Sequence, residues 1–153
     1  MDAIDRKILA LLQEDATMSI ADISERVHLS HTPCWRRIQR LEEQGVILRR
    51  VALLDPQKLN VGVTVFVSIK TNQHNQQWME RFSAAVVAIP EVVEFYRMSG
   101  DMGYMLRIVV PDIQRYDAVY KRLIANTDLF DVHSSFAMEQ LKLTTALPLD
   151  YAP

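Results

Sequence analysis

Apolar positions along the first 45 residues recur at helical spacing, interrupted by polar breaks. Residues 2–14 place Ile4, Ile8, Leu11 and Leu12 at i, i+4, i+7 and i+8, with Asp2 as N-cap, which predicts an amphipathic helix. Asp15-Ala16-Thr17 breaks it. Ser19 caps a second short helix carrying Ile20, Ile23 and Val27, with Asp22 as a weaker form of the capping box. After a His28-Leu29 turn, Ser30 caps a third helix with Pro33 in its first turn, where a missing N–H is harmless. Cys34, Ile38 and Leu41 form its inner face and Gly45 ends it. Val46 to Leu54 has the apolar, β-branched character of a short strand or hairpin, and Asp55-Pro56 opens a turn.

The period then switches to two. Val63, Val65, Val67 and Ile69 alternate with Thr64, Phe66, Ser68 and Lys70, the pattern of a half-buried strand. A helix follows over 75–89 (Trp78, Phe82, Ala85, Val86, Ile89) and Pro90 closes it. A strand over Val92–Met98, a turn over Ser99–Gly103 and a strand over Tyr104–Val110 come next. Asp112 caps a helix carrying Ile113, Tyr116, Tyr120 and Leu123, and a last strand covers Val132–Met138, with a possible extension through Leu141 and Leu143. The order βαββαβ is the ferredoxin-like arrangement, a four-stranded antiparallel sheet with both helices on one face. The opposite face, with Phe66 and Val, Tyr and Met side chains, is expected to be covered by a second subunit. The fold class read from these patterns is α+β. A winged helix-turn-helix domain (1–50) leads through a linker (51–60) to a ferredoxin-like sensing and oligomerisation domain (61–153).

Composition narrows the function. A single cysteine among 153 residues excludes a disulfide framework and a Cys-rich zinc site, and points to a reducing, cytoplasmic compartment. No apolar run approaches the ~20 residues of a membrane span, so no membrane partner is expected. The acidic N-terminus does not read as a secretory signal. Net charge is −2, but residues 26–50 hold six arginines against two glutamates. One basic segment in an otherwise acidic chain suggests a polyanionic partner.

That segment is the helix-turn-helix. Thr32, Arg36, Arg37 and Arg40 fall near the outer side of the third helix, where arginine meets phosphates as a charge and guanine edges as a bidentate donor. The alternative is a solvated basic face balanced by Glu42 and Glu43. Arg49 and Arg50 lie where a wing would clamp the DNA backbone, or form an ordinary exposed turn. Trp35, beside the arginines, is read as packing against the first helix, with a DNA contact as the alternative, and Cys34 as a buried hydrophobe rather than a redox sensor. The four histidines are scattered, no pair has metal-ligand spacing, and no nucleophile or phosphate-loop motif occurs, so neither catalytic residue, metal nor cofactor is expected. Arg97 and Arg107 read as exposed sheet charges, with an anion site as the alternative. The turn Ser99–Tyr104 holds two of the four glycines, which suits either a tight hairpin or backbone N–H groups open to a small ligand.

These residues together resemble the Lrp/AsnC family of leucine-responsive or feast/famine transcription regulators. The resemblance runs through Asp5–Leu9, Leu29–Ile38, Leu41–Ile47, Ala52–Pro56 and the Gly100–Tyr104 turn. Cys34-Trp35 and Ser134–Gln140 are most similar to its DecR-like subgroup. It implies double-stranded DNA as partner, with Ser30 added to the DNA-reading residues. It implies a homodimer assembled into a homo-octamer, and an amino-acid effector bound between dimers. It places that effector at Gly100, Asp101, Gly103 and Tyr104, with Ser134 and Ser135 from the last strand. Many members carry Asp directly before the Tyr of that turn, where this chain has Gly103, which leaves Asp101 as the anionic candidate. The leading reading is a sequence-specific DNA-binding transcriptional regulator that responds to an amino acid, and not an enzyme. The alternatives are a small ferredoxin-like enzyme and a ligand-independent DNA-binding scaffold.

Overall fold

The computed structural model describes residues 1–73, 75–100, 103–125, 129 and 131–153. They fall into two compact units, Met1–Leu53 with Leu141–Pro153, and Leu54–Gln140.

The first unit opens with α1 (Ala3–Glu14), α2 (Ile20–Arg26) and α3 (His31–Glu43). Local chemistry sets each boundary. The Asp2 carboxylate accepts from the Asp5 N–H at 2.8 Å, while the Asp2 N–H donates to the Asp5 carboxylate at 3.2 Å, a reciprocal cap that starts α1. The Ser19 hydroxyl accepts from the Asp22 N–H and donates to its carboxylate, which starts α2. The chain turns from α2 to α3 at His28, which takes a left-handed φ of 57°. α3 stops at Gly45, whose φ of +69° closes two paired bonds, Gly45 N–H to Glu42 C=O and Val46 N–H to Leu41 C=O. Only a residue without a Cβ adopts that conformation freely.

Ile8, Leu9, Ile23, Val27, Cys34, Ile38 and Leu41 form the core. Leu9 lies deeper than Leu11 and Leu12, so the buried stripe of α1 is rotated from the expected one. Among the described residues no strand forms between Val46 and Leu54. Leu48, Val51, Leu53 and Leu54 are exposed, and a strand cannot form without a partner edge. The helix-turn-helix therefore has no wing strand of its own.

The second unit contains β1 (Val63–Lys70), α4 (Gln76–Val87), β2 (Val92–Arg97), β3 (Tyr104–Val110), α5 (Ile113–Ile124) and β4 (Asp131–Phe136). The sheet is antiparallel throughout, in the order β2-β3-β1-β4. Alternation sorts the side chains as the period-two pattern requires. Val65, Val67, Ile69, Leu106, Ile108 and Val110 face α4 and α5, which contribute Trp78, Phe82, Val86, Tyr116, Val119 and Leu123. On α5, Val119 takes the buried position and Ile113 is exposed. The opposite face presents Phe66, Tyr96 and an Arg107–Glu94 ion pair of 2.7 Å.

The last strand ends at Phe136 rather than running on to Leu143. The chain beyond it returns to the first unit. Gln13 Nε2 donates to the Leu147 carbonyl, and the Leu147 N–H donates to Gln13 Oε1 at 2.7 Å. Leu149, in a short 3-10 turn (Leu149–Tyr151), packs on the three-helix core. By compactness, the final thirteen residues of the expected 61–153 domain, Leu141–Pro153, group with the first unit.

Candidate nucleic-acid interface and ligand-binding turn

At ~100° per residue, burying Cys34, Ile38 and Leu41 divides the rest of α3 into three strips. Thr32, Arg36 and Glu43 point away from the core, Trp35 and Gln39 lie on one flank, and Arg37 and Arg40 lie on the other.

The Arg37–Arg40 flank faces α1. Arg37 Nη1 donates to Asp2 Oδ2 at 2.6 Å and to Asp5 Oδ1 at 2.8 Å, and Arg40 Nη2 bonds both Asp5 oxygens at 2.8 and 3.0 Å. Asp5 is 2% exposed, a buried carboxylate between two guanidinium groups. The Asp5 backbone N–H and Arg37 pull the Asp2 carboxyl down to about 2, and the two carboxylates raise the pKa of Arg37. Sequence reasoning treated Arg37 and Arg40 as DNA contacts and did not find this network. Its trace was Asp5 at a core-facing position of α1, a residue that enters a core only when paired.

The outward strip differs. Arg36 is exposed, and among the described residues neither it nor Arg49 has an ion-pair partner. Ser30 takes the N-cap position of α3, but its hydroxyl makes no capping bond. Ser30, Thr32 and Arg36 therefore present unengaged donors at the N-terminal half of the helix, the part that reads base edges and phosphates in helix-turn-helix proteins. Arg50 is bonded to Glu42 at 3.0 Å. Trp35 is 46% exposed, against the expectation that it packs on α1. The positions that would bury it are taken by Cys34 and Ile38, one residue before and three after. Cys34 is fully buried, and burial pushes its thiol pKa up, so it is the inert hydrophobe expected.

The residues assigned to an effector scatter within one protomer. Gly100 has a φ of +79°. A Cβ on Gly103 would lie 3.0 Å from the Ile69 carbonyl, a tight contact that the β1 backbone would have to relieve by a few tenths of an ångström. The Met98 N–H bonds the Gly103 carbonyl at 3.0 Å and closes the hairpin. Asp101 lies outside the described residues. Tyr104 is a core side chain rather than a surface one, 6% exposed and packed on Phe82 and Phe95 with ring centroids 5.0 and 5.6 Å away. Ser134 and Ser135 face opposite sides of the sheet. The Ser134 hydroxyl hydrogen-bonds the buried Tyr116 hydroxyl beneath α5, while Ser135 lies on the open face opposite Phe66. Two strand spacings, ~10 Å, separate β4 from β3, with β1 between them. One chain does not bring the turn and the serines together.

The geometry defines a class first: a helix-turn-helix DNA reader joined to an open-faced α+β domain, the architecture of a transcription regulator with a sensing module. The chain belongs to the Lrp/AsnC family. Residues 1–42 match the AsnC-type helix-turn-helix domain and residues 64–147 the Lrp/AsnC ligand binding domain. Among relatives, it is 51% identical over 151 residues to the DNA-binding transcriptional activator DecR of Escherichia coli K12, covering 98% of this chain and 99% of that one. It is 50% identical over 149 residues to the glutamate uptake regulatory protein of Zymomonas mobilis, covering 97% and 91%. Among solved structures, an AsnC family transcriptional regulator from Agrobacterium tumefaciens superimposes with a TM-score of 0.97 at 64% identity over the whole of both chains. A Neisseria meningitidis transcriptional regulator in complex with L-methionine gives 0.92 at 32% identity, covering 98% and 97%.

Proposed function

We propose that this protein is a sequence-specific, cytoplasmic DNA-binding regulator, not an enzyme, whose assembly and DNA binding respond to an amino acid. The observation that carries the DNA reading is the outward strip of α3. Ser30, Thr32 and Arg36 are unengaged there, while Arg37 and Arg40 are spent on Asp5 and orient the helix from behind. Arg49 and Arg50 supply backbone contacts beside it.

The open sheet face, with Phe66 at 42% and Tyr96 at 53% exposure, suits a second copy of the chain. Dimers joined through it assemble further, towards the octamer. The ligand sits between dimers at the Gly100–Gly103 turn, where glycine leaves backbone N–H groups open to a carboxylate. The L-methionine held by the Neisseria relative supports an amino acid as the ligand class. Asp101 would take its ammonium group, and Ser135, which lies on the open sheet face, would be supplied by another chain. Tyr104 supports the turn from within the core, and Ser134 is engaged by the Tyr116 hydroxyl, so neither is free to touch the ligand in the way Ser135 is.

Footprinting across the upstream region of its own gene, with and without a panel of amino acids, tests the reading. A protected near-palindromic site is expected. It should weaken steeply with salt and by about 1–3 kcal/mol in Arg36→Ala. At least one amino acid should shift both the protection and the particle size seen by light scattering. Binding without sequence preference, or a folded Arg36→Ala that binds like the parent, would overturn the regulator reading.

A further inference from the structure

The chain has two tryptophans, and they are in opposite states. Trp78 is 6% exposed and stacked on Phe82 in the sensing core, whereas Trp35 is 46% exposed on the DNA-reading helix. Trp35 belongs to neither apolar core nor to the side chains packed against them. It stands one residue from Arg36, in the N-terminal half of α3, on the flank turned away from the Asp5 network. Large aromatic surface left exposed amid polar and basic neighbours marks a contact with a partner. The neighbours Ser30, Thr32 and Arg36 specify a polyanion with hydrogen-bonding edges, which is DNA.

Base edges in the major groove carry one apolar group, the C5-methyl of thymine, and thymine also presents the O4 acceptor beside it. Indole matches that pair. It has an apolar body and a single N–H that donates and never accepts. Cytosine offers an amino donor at the corresponding place, which the indole N–H cannot satisfy. Guanine offers two acceptors without a methyl, which suits Arg36 instead. We propose that Trp35 is a specificity-determining residue that reads a thymine by its methyl group, next to the base read by Arg36. The assignment rests on the DNA-binding reading above and extends it from affinity to base choice.

The test uses the full-length protein. The duplex it enriches most strongly from a random-sequence library is the probe, and each thymine in turn is replaced by deoxyuridine, which removes only the methyl. At one thymine per half-site the parent should lose about three- to fivefold in affinity, the worth of one buried methyl. Trp35→Ala should bind the thymine duplex roughly tenfold more weakly and bind the deoxyuridine duplex equally well, the T/U ratio falling to about 1. Trp35→Phe, which keeps an aromatic face, should retain part of the ratio. Arg36→Ala should weaken both duplexes alike and leave the ratio intact. Circular dichroism checks that each variant is folded. A parent indifferent to deoxyuridine at every position overturns the assignment, as does a folded Trp35→Ala protein that keeps the parent's full T/U ratio, whatever its affinity. Failure to enrich any sequence is a different result. It removes the sequence-specific reading itself, and the assignment falls with it.

Discussion

At the centre of the first unit's helix packing lies a carboxylate, Asp5, clamped by Arg37 and Arg40 beside a small aliphatic cluster. At the centre of the second lies a ring cluster, Trp78, Phe82, Phe95 and Tyr104, spread over one face of a sheet. The difference follows from size and shape. Three short helices bury too little apolar surface to hold a unique packing, and a charged network fixes the direction α3 faces. A helix-covered sheet buries enough to need no charge in its core. The small unit is also closed by the returning tail, whose Leu147 and Leu149 add a bond pair and an apolar contact. Directional contacts serve the unit that must present a helix to a ligand of fixed geometry, and non-directional burial serves the one that must remain a stable platform.

Breaking the second unit should have the largest effect. Phe82 is fully buried and touches three other rings, so Phe82→Ala should destabilise the sensing unit by about 3–5 kcal/mol. Denaturant titration reads this as a lower midpoint for that unit. A change under about 1 kcal/mol would mean that the rings are not the source of its stability.

Next comes the buried carboxylate. Asp5→Ala leaves two guanidinium groups facing an apolar core and should cost about 2–4 kcal/mol, towards the lower end because Arg37 and Arg40 are partly solvated. DNA affinity should fall with it even at temperatures where the variant is folded, because α3 loses its orientation. Combining Asp5→Ala with Arg37→Ala should recover part of the lost stability. Additive losses would refute the network.

Removing Leu141–Pro153 should lower the midpoint of the first unit by about 1–2 kcal/mol and leave the second unit's transition unchanged. Hydrogen exchange in α1 is the sensitive reporter. Unaltered protection of α1 would mean that the tail does not close this unit. The same contact predicts that residues 1–54 alone fold less firmly than they do in the whole chain.

The smallest effect is in pH. The Asp2 carboxyl lies at about 2 in the folded chain, below its ordinary 3.8, because the Asp5 N–H and Arg37 favour its charged form. A group depressed by folding stabilises fully above its unfolded value. That contribution drains away as pH falls from about 4 towards 2. Asp2→Asn should therefore narrow its stability gap to the parent over that window and leave the sensing unit's acid transition where it was. A gap that stays constant from pH 6 to pH 2 would show that Asp2 carries no such contribution.

Period and punctuation made most of this protein legible in its sequence. The three helices with their Asp2, Ser19 and Gly45 boundaries, the switch to period two at Val63, and the βαββαβ order all rest on interactions between residues a few positions apart. Local steric and hydrogen-bonding rules decide these before any tertiary contact forms. What resisted reading was every choice that depends on a distant partner. Arg36 and Arg37 look alike along the chain, and only the packing of α1 on α3 assigns one to solvent and the other to Asp5. Trp35 and Trp78 are equally apolar, yet one is exposed and the other stacked on Phe82, because Cys34 and Ile38 already fill the side of α3 that could have buried it. Tyr104 and Ser134 read as ligand contacts until the sheet order turned both towards the helices. Val46–Leu54 has strand composition but no edge to pair with, and the tail meets the first unit through the Leu147 backbone, bonded to Gln13 134 positions away, and through Leu149 on the core behind it. Burial of a side chain and pairing of a backbone are properties of two surfaces meeting, and a linear sequence specifies each surface without stating which other it will meet.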